Sequence, residues 1–327
     1  MGIVVQRESF GAVEQEWRDL LPSSSNSRVF LSPVWLRTWW ESFGGGREML
    51  LLSAREDGRL IGIAPLMRDG ASFSFAGNTK VCDYMDFPCV AGREADLLSA
   101  VFRSLGEEPW DELRLWAMRE DSAAVAALPT VCADLGLRFE KEQEDVCPRV
   151  ELPVGWDTYL ASLEKKHRHE LKQKLRKLPQ AGEVELEVLE SPAEIEGAMD
   201  SFLWMLRESR SDKAAFMTEQ MGGFFRRLIP ALAAEGLAEM AFLKLGGRRV
   251  AAVICFRADG ETLLYNSGYD PAYSAFSVGL LSKVLALQRA IDQGVSRFDF
   301  LRGHERYKYE LGAEDLAVYR VTIRRAP

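Results

Sequence analysis

Two stretches of this chain repeat one order of apolar and polar runs. In the first, Met-Leu-Leu-Leu-Ser-Ala at 49–54 and Leu-Ile-Gly-Ile-Ala-Pro-Leu at 60–66 flank a Glu-Asp-Gly turn, a strong hairpin signal. Phe-Ser-Phe-Ala-Gly at 73–77 follows, then a loop through 83–87, a helix around 97–105 and a strand at 112–117. In the second, Met-Ala-Phe-Leu-Lys-Leu at 240–245 and Val-Ala-Ala-Val-Ile-Cys-Phe at 250–256 flank a Gly-Gly-Arg-Arg turn. A strand at 262–266, a loop, an apolar helix closed by Gly294 and a strand at 297–300 complete it. Two copies of one mixed α/β unit explain this economically, with hairpin strands beside a strand, helix, strand crossover and helices on the sheet faces. The boundary is expected near residue 150, giving domains 1–150 and 151–327.

A segment at 156–178 bridges the halves and reads as one charged helix, broken by Pro-Gln-Ala-Gly-Glu at 179–183. Leu160, Leu163, Leu171, Leu175 and Leu178 recur at steps of three and four, with His167 on the same stripe, so one side packs inward. Lys165, Arg168, His169, Lys172 and Arg176 share another side, which is either a solvated basic face or an anion site.

Composition narrows the function. With 327 residues and an apolar fraction of 47%, each half can build its own core. A net charge of −8 argues against a general nucleic-acid binder. No apolar run is long enough for a membrane helix, and the N-terminus lacks the regions of a signal peptide, so a cytoplasmic protein is expected, with peripheral membrane contact if its substrate is lipid-linked. The five cysteines lack CxxC spacing and there are only three histidines, so no metal is expected.

The chemistry concentrates at 265–308. A loop that opens a helix after a strand presents unpaired N–H groups at the positive end of the helix dipole, an arrangement that holds pyrophosphate. Ser277, Val278, Gly279, Leu280 and Leu281 form this cradle, Gly279 allowing close backbone approach and unusual dihedrals. Leu280, Leu281, Val284, Leu287 and Ile291 then read as the inward stripe of the helix. Asp299 lies between Phe298 and Phe300 in a buried strand, as a base or as a partner of Lys308 or Arg302. His304 suits proton transfer.

The Ser-Val-Gly loop, the Tyr307-Lys308 pair, Asp83-Tyr84 and Phe-Leu-Ser-Pro-Val-Trp-Leu at 30–36 resemble the GNAT superfamily of acyltransferases. The likeness is to its double-domain, CelD-like branch, related to the Fem peptidyltransferases. Where that pattern has Pro, this chain has Val278, and where it commonly has an acidic residue, this chain has His304. The resemblance implies tandem GNAT-like domains, with one donor site in the second. It implies a backbone donor to the thioester oxygen near Asn266 and Ser267, proton transfer to the thiolate by Tyr307, and a carboxylate- or phosphate-binding role for Lys308. Asp83, Tyr84, Arg168, Tyr265 and Glu305 would face substrate, and the aromatic 30–36 segment reads mostly as core.

The expected activity is N-acyl transfer from acyl-CoA, or from an acyl carrier protein thioester, to a small-molecule or lipid amine. The amine would attack the thioester directly from a cleft between the two units. The alternatives are a Fem-like transferase drawing on aminoacyl-tRNA and a non-catalytic binding module of an envelope or exopolysaccharide pathway.

Overall fold

A computed structural model describes residues 2–24, 29–107, 109–258 and 260–325. The elements run β1 (Val4–Arg7), α1 (Phe10–Leu20), α2 (Pro33–Phe43), β2 (Glu48–Glu56), β3 (Arg59–Asp69), β4 (Ser72–Phe75), α3 (Glu94–Leu105), β5 (Glu112–Arg119), α4 (Ala123–Asp134) and β6 (Leu137–Glu151). They continue as α5 (Trp156–Ser162), α6 (Lys165–Lys177), β7 (Val184–Leu189), α7 (Pro192–Ser209), α8 (Ser211–Phe216), α9 (Glu219–Ala234), β8 (Ala238–Leu245), β9 (Arg248–Ala258) and β10 (Glu261–Tyr269). The last are α10 (Val278–Asp292), β11 (Arg297–Asp299), α11 (Arg306–Glu310) and β12 (Glu314–Arg325). The chain divides into one unit of residues 1–146 with 316–327 and a second of residues 147–315.

Each unit is α/β with a mixed, largely antiparallel sheet. In the first the strand order is β1-β2-β3-β4-β5-β12-β6, and in the second β6-β11-β10-β9-β8-β7, the boundary falling inside β6. Both two-residue hairpin turns expected from sequence are present. Asp57 and Gly58 have φ of 50° and 80°, and Gly246 and Gly247 have 55° and 79°, the doubly positive pattern that matches strand twist. β4 runs parallel to β5 over three residue pairs, and β10 runs parallel to β11 over three. The two units thus repeat one order: hairpin, third strand, helix, parallel fourth strand.

The last strand departs from the division at residue 150. β12 pairs antiparallel with β5 and belongs to the first unit, because its alternating buried residues, Leu316, Val318, Val321 and Ile323, fill that sheet's core face. Nothing in the local pattern of a C-terminal strand specifies so distant a partner.

Trp17, Trp35, Trp39, Phe30, Phe73, Phe75 and Phe87 are fully buried in the first unit, so the 30–36 segment is core, opened by Ser32 capping α2 ahead of Pro33. In the second unit Leu281, Val284, Leu287 and Ile291 of α10 are buried with the face of β8 and β9 that carries Ala241, Leu243 and Val253.

The bridging segment is not one helix. Leu163 (φ −68°, ψ 149°) and Glu164 (φ −51°, ψ 140°) are extended and separate α5 from α6. The break lets Leu163 bury beside Gly312, where a straight helix would carry it past. Leu171 and Leu178 are buried, whereas Lys165, His169, Lys172 and Arg176 are exposed. Among the described residues no helix is long and apolar enough to cross a membrane.

Candidate functional site

The second unit's parallel strand pair stops early. β10 is paired with β11 only at Glu261, Thr262 and Leu263, while on its other side β9 follows it through Tyr269. A register shift between Leu264 and Asn266 places a bulge at Tyr265, which twists β10 further. β11 ends at Asp299, Phe300 donates its N–H to Pro148 at 2.9 Å, and Leu301 takes a left-handed φ of 56°. The two strands therefore part, and β10 runs on through Asn266 and Ser267 without β11 beside it.

Asp299 makes this turn. Its side chain has no exposure, and Oδ1 accepts the N–H of Leu301 at 2.7 Å. The structure gives this carboxylate a turn to hold in place of access to solvent. Lys308, expected to bind an anion or Asp299, is equally occupied. Its buried ammonium donates to the carbonyls of Leu301 (2.8 Å), Arg302 (2.9 Å) and Gly303 (2.7 Å) and pairs with Glu305 at 2.9 Å. Three carbonyls and a carboxylate exhaust an ammonium's donors, so Lys308 fastens the loop that carries His304 and Glu305. His304 is exposed on that loop.

The opening of α10 differs in detail from expectation. A six-residue 3-10 segment, Pro271–Phe276, is capped by Asp270, which accepts from Ala272 N–H at 2.9 Å. Ser277 then adopts φ 57°, ψ 32°, and its carbonyl receives the first intrahelical bonds, from Leu280 and Leu281. The N–H groups of Val278 and Gly279 precede those bonds at the positive end of a fifteen-residue helix. The unusual dihedral sits on Ser277, and Gly279 is needed for another reason. A Cβ there would lie 2.6 Å from the ring of Tyr269. Leu280 is only partly buried and, with Tyr307, His167, Lys174 and Leu311, lines a narrow crevice of about 10 Å³, so it stands apart from the inward stripe. Lys177 of α6 donates to Ala275 at 3.0 Å, which brings the basic helix beside the start of α10.

Tyr307 packs edge-on to Phe300, and Lys283 lies 5.3 Å from its ring centroid. Burial pushes the phenol's pKa well up, so it stays protonated. Burial alone would also raise Glu305, but the Lys308 charge and hydrogen bond bring it below its usual value.

Two residues that the sequence reading missed complete this cluster. Lys213 of α8 donates to the carbonyl of Ser267 at 2.5 Å, and Lys283, one turn into α10, donates to the carbonyl of Gly279 at 2.5 Å. Burial and neighbouring cations lower Lys213 to about 8 and Lys283 to about 7. A lysine in the apolar first half of the helix, four residues past the cradle glycine, was a legible signal for Lys283. Lys213 sits in an undistinguished Ser-Asp-Lys-Ala-Ala run.

Other expected substrate contacts serve packing. Arg168 donates to Ala161 at 3.0 Å, satisfying a carbonyl freed by the break between α5 and α6. Tyr265 stacks on Phe225 and lies tilted against Phe256. In the first unit Tyr84 is 3% exposed, edge-on to Phe30 and under the Arg119 guanidinium, so its ring is core. Its neighbour Asp83 is half-buried, and the buried acid of that loop is Asp86. Asp86 accepts from Ser122 at 2.6 Å and from Phe87 N–H at 2.8 Å, and burial raises it to about 6.

Residues 165–309 match the family model described as an acetyltransferase (GNAT) domain. The match spans α6 through Tyr309 and includes every group of the cluster. The match covers most of the second unit, and the chain is a transferase enzyme. No curated protein matches the sequence. Among solved structures the chain is similar to FemX, at 12% identity and a TM-score of 0.67 over 97% of this chain and 96% of that one. A conserved protein of unknown function from Bacteroides thetaiotaomicron VPI-5482 gives 12% identity and a TM-score of 0.63 over 99% and 100%. L-PGS from Bacillus licheniformis gives 12% and 0.59 over 94% and 90%. At these identities the likeness is one of fold.

Proposed function

We propose that this protein is an N-acyltransferase that moves an acyl group from acyl-CoA to an amine by direct attack. The observation that carries the reading is the parting of β10 from β11 beside the open first turn of α10. A thioester arm would run along the stretch of β10 that β11 leaves unpaired, with its carbonyl oxygen near Asn266 and Ser267. Its phosphates would meet the N–H groups of Val278 and Gly279, with Lys177 of α6 nearby. The amine nitrogen bonds to the thioester carbon, the C–S bond breaks, and the thiolate takes its proton from Tyr307, whose phenol is kept protonated by burial. Of the two expected bases Asp299 is sealed off, so the amine's proton goes to His304 or to water. Glu305, negatively charged and half-exposed, holds the incoming ammonium. An acyl carrier protein could deliver the same thioester arm. The CelD-like resemblance puts amino sugars, lipid amines and related envelope precursors among the candidate acceptors.

The deciding measurement is thiol release across acyl-CoA chain lengths with amino sugars, amino acids and long-chain amines, together with mass detection of CoA bound to the purified protein. Release that requires both donor and amine, with ternary-complex kinetics, is expected. Consumption of aminoacyl-tRNA without thiol release would replace this reading with the Fem-like one, and a trapped acyl-enzyme would contradict direct attack.

A further inference from the structure

The parted strands are lined by more positive charge than the fold needs. Of the four cations that meet there, Lys308 is spent on the 301–303 carbonyls and Glu305, and Arg210 is paired with Asp212 at 2.8 Å. Lys213 and Lys283 are left over. Among the described residues each ammonium makes one hydrogen bond, to a single backbone carbonyl. Each retains two donors, and the two repel one another. Desolvating like charges side by side is unfavourable, and cations are kept in such positions where an anion visits them.

We infer that Lys213 and Lys283, carried to the opening beside β10 by α8 and α10, form a carboxylate subsite for the acceptor. The amine acylated here then belongs to an amino acid or another carboxylate-bearing amine. The assignment rests on the N-acyltransferase reading, and position decides between acceptor and donor. Lys213 touches Ser267, on the stretch of β10 where the thioester carbonyl would be held, and Lys283 meets the carbonyl of Gly279, not the N–H groups that would face the phosphates of a CoA donor. Glu305 stands in the same cluster and interacts with both lysines, so a zwitterion finds its two charges answered together. An anion placed between the lysines favours their charged forms and reverses the downward shift that burial imposes.

Reductive methylation of the full chain with isotopically labelled formaldehyde gives each lysine its own magnetic-resonance signal. Lys213→Arg and Lys283→Arg identify the two signals while keeping the charge. Glycine and L-alanine are expected to shift both signals and raise the pH at which they titrate, whereas methylamine and ethylamine, the same molecules without the carboxylate, leave them in place. In turnover, Lys213→Gln or Lys283→Gln should raise KM for carboxylate-bearing acceptors about tenfold and leave other amines unaffected. Signals that answer to CoA or inorganic pyrophosphate and not to the amino acids would overturn the assignment, as would signals that answer to none. A fall in kcat for every amine, with KM unchanged, would also overturn it by making the lysines part of the oxyanion site. The resonances report binding without turnover. A chain that binds amino acids here yet releases no thiol contradicts the transferase reading alone, and a chain that acylates amines with unmoved signals contradicts the subsite alone.

Discussion

The two units carry the same parallel strand pair and treat the place where it parts in opposite ways. In the first, eighteen residues separate β4 from α3, and that connection turns back into the unit. Met85 donates its N–H to Ala117 of β5 at 3.0 Å, and Cys82, Tyr84, Met85 and Phe87 are buried. Trp116 stands edge-on to Phe75 and against Gly77, where an added Cβ would lie 3.0 Å from the indole. In the second, eight residues separate β10 from α10, too few to turn back, and the opening is bordered by Lys213, Lys283, Glu305 and Tyr307. One scaffold thus yields an aromatic plug and a polar opening, and connection length is the feature that separates them. A plug is justified by burial, whereas ionisable groups held out of water are justified by a ligand.

The largest effect expected from this contrast is on stability. Trp116→Ala should cost about 3–5 kcal/mol in urea denaturation through the cavity it leaves, with CoA affinity unchanged by calorimetry. A loss of CoA binding would show that the first unit also serves the donor.

Next comes the response to pH. Burial raises Asp86 from an ordinary value of 3.8 to about 6, so the folded form holds its proton more tightly. Its contribution to the first unit is complete below 3.8 and is lost as pH rises through 6, a change of about 3 kcal/mol. Lys283 acts in the opposite direction. Its pKa is lowered from 10.5 to about 7, so the unfolded chain binds more protons between those values and the second unit gains stability as pH rises across them. Burial foremost, then Lys213, Arg210 and Lys308, press it downward, and Glu305 upward. Hydrogen exchange followed separately in β3 and β9 should show the two trends, and Asp86→Asn should flatten the first. Parallel trends in both strands would break the comparison.

A smaller effect concerns chemistry. Tyr307→Phe should slow thiol release about ten- to a hundredfold, about 1.4–2.7 kcal/mol, while CoA affinity stays put. An unchanged rate would remove Tyr307 as the proton donor. The smallest expected change is Gly279→Ala. Tyr269 must yield to the new methyl, at a cost of about 1–2 kcal/mol in thermal stability. Because the start of α10 moves with that ring, donor affinity should fall with it, a result that would tie the cradle to this contact.

The amino-acid sequence alone determined the repeated order of elements, the two hairpins, the aromatic core of the first unit and the position of the α10 opening. These follow from local periodicity and turn chemistry, which act over a few residues. Tertiary structure decided the rest. It sent β12 to β5, broke the bridging helix to bury Leu163, spent Lys308 and Asp299 on a turn, and brought Lys213 to Ser267 from fifty-four residues away. A side chain's chemistry depends on the desolvation and partners that meet it, and those come from segments distant in sequence, which no local pattern records.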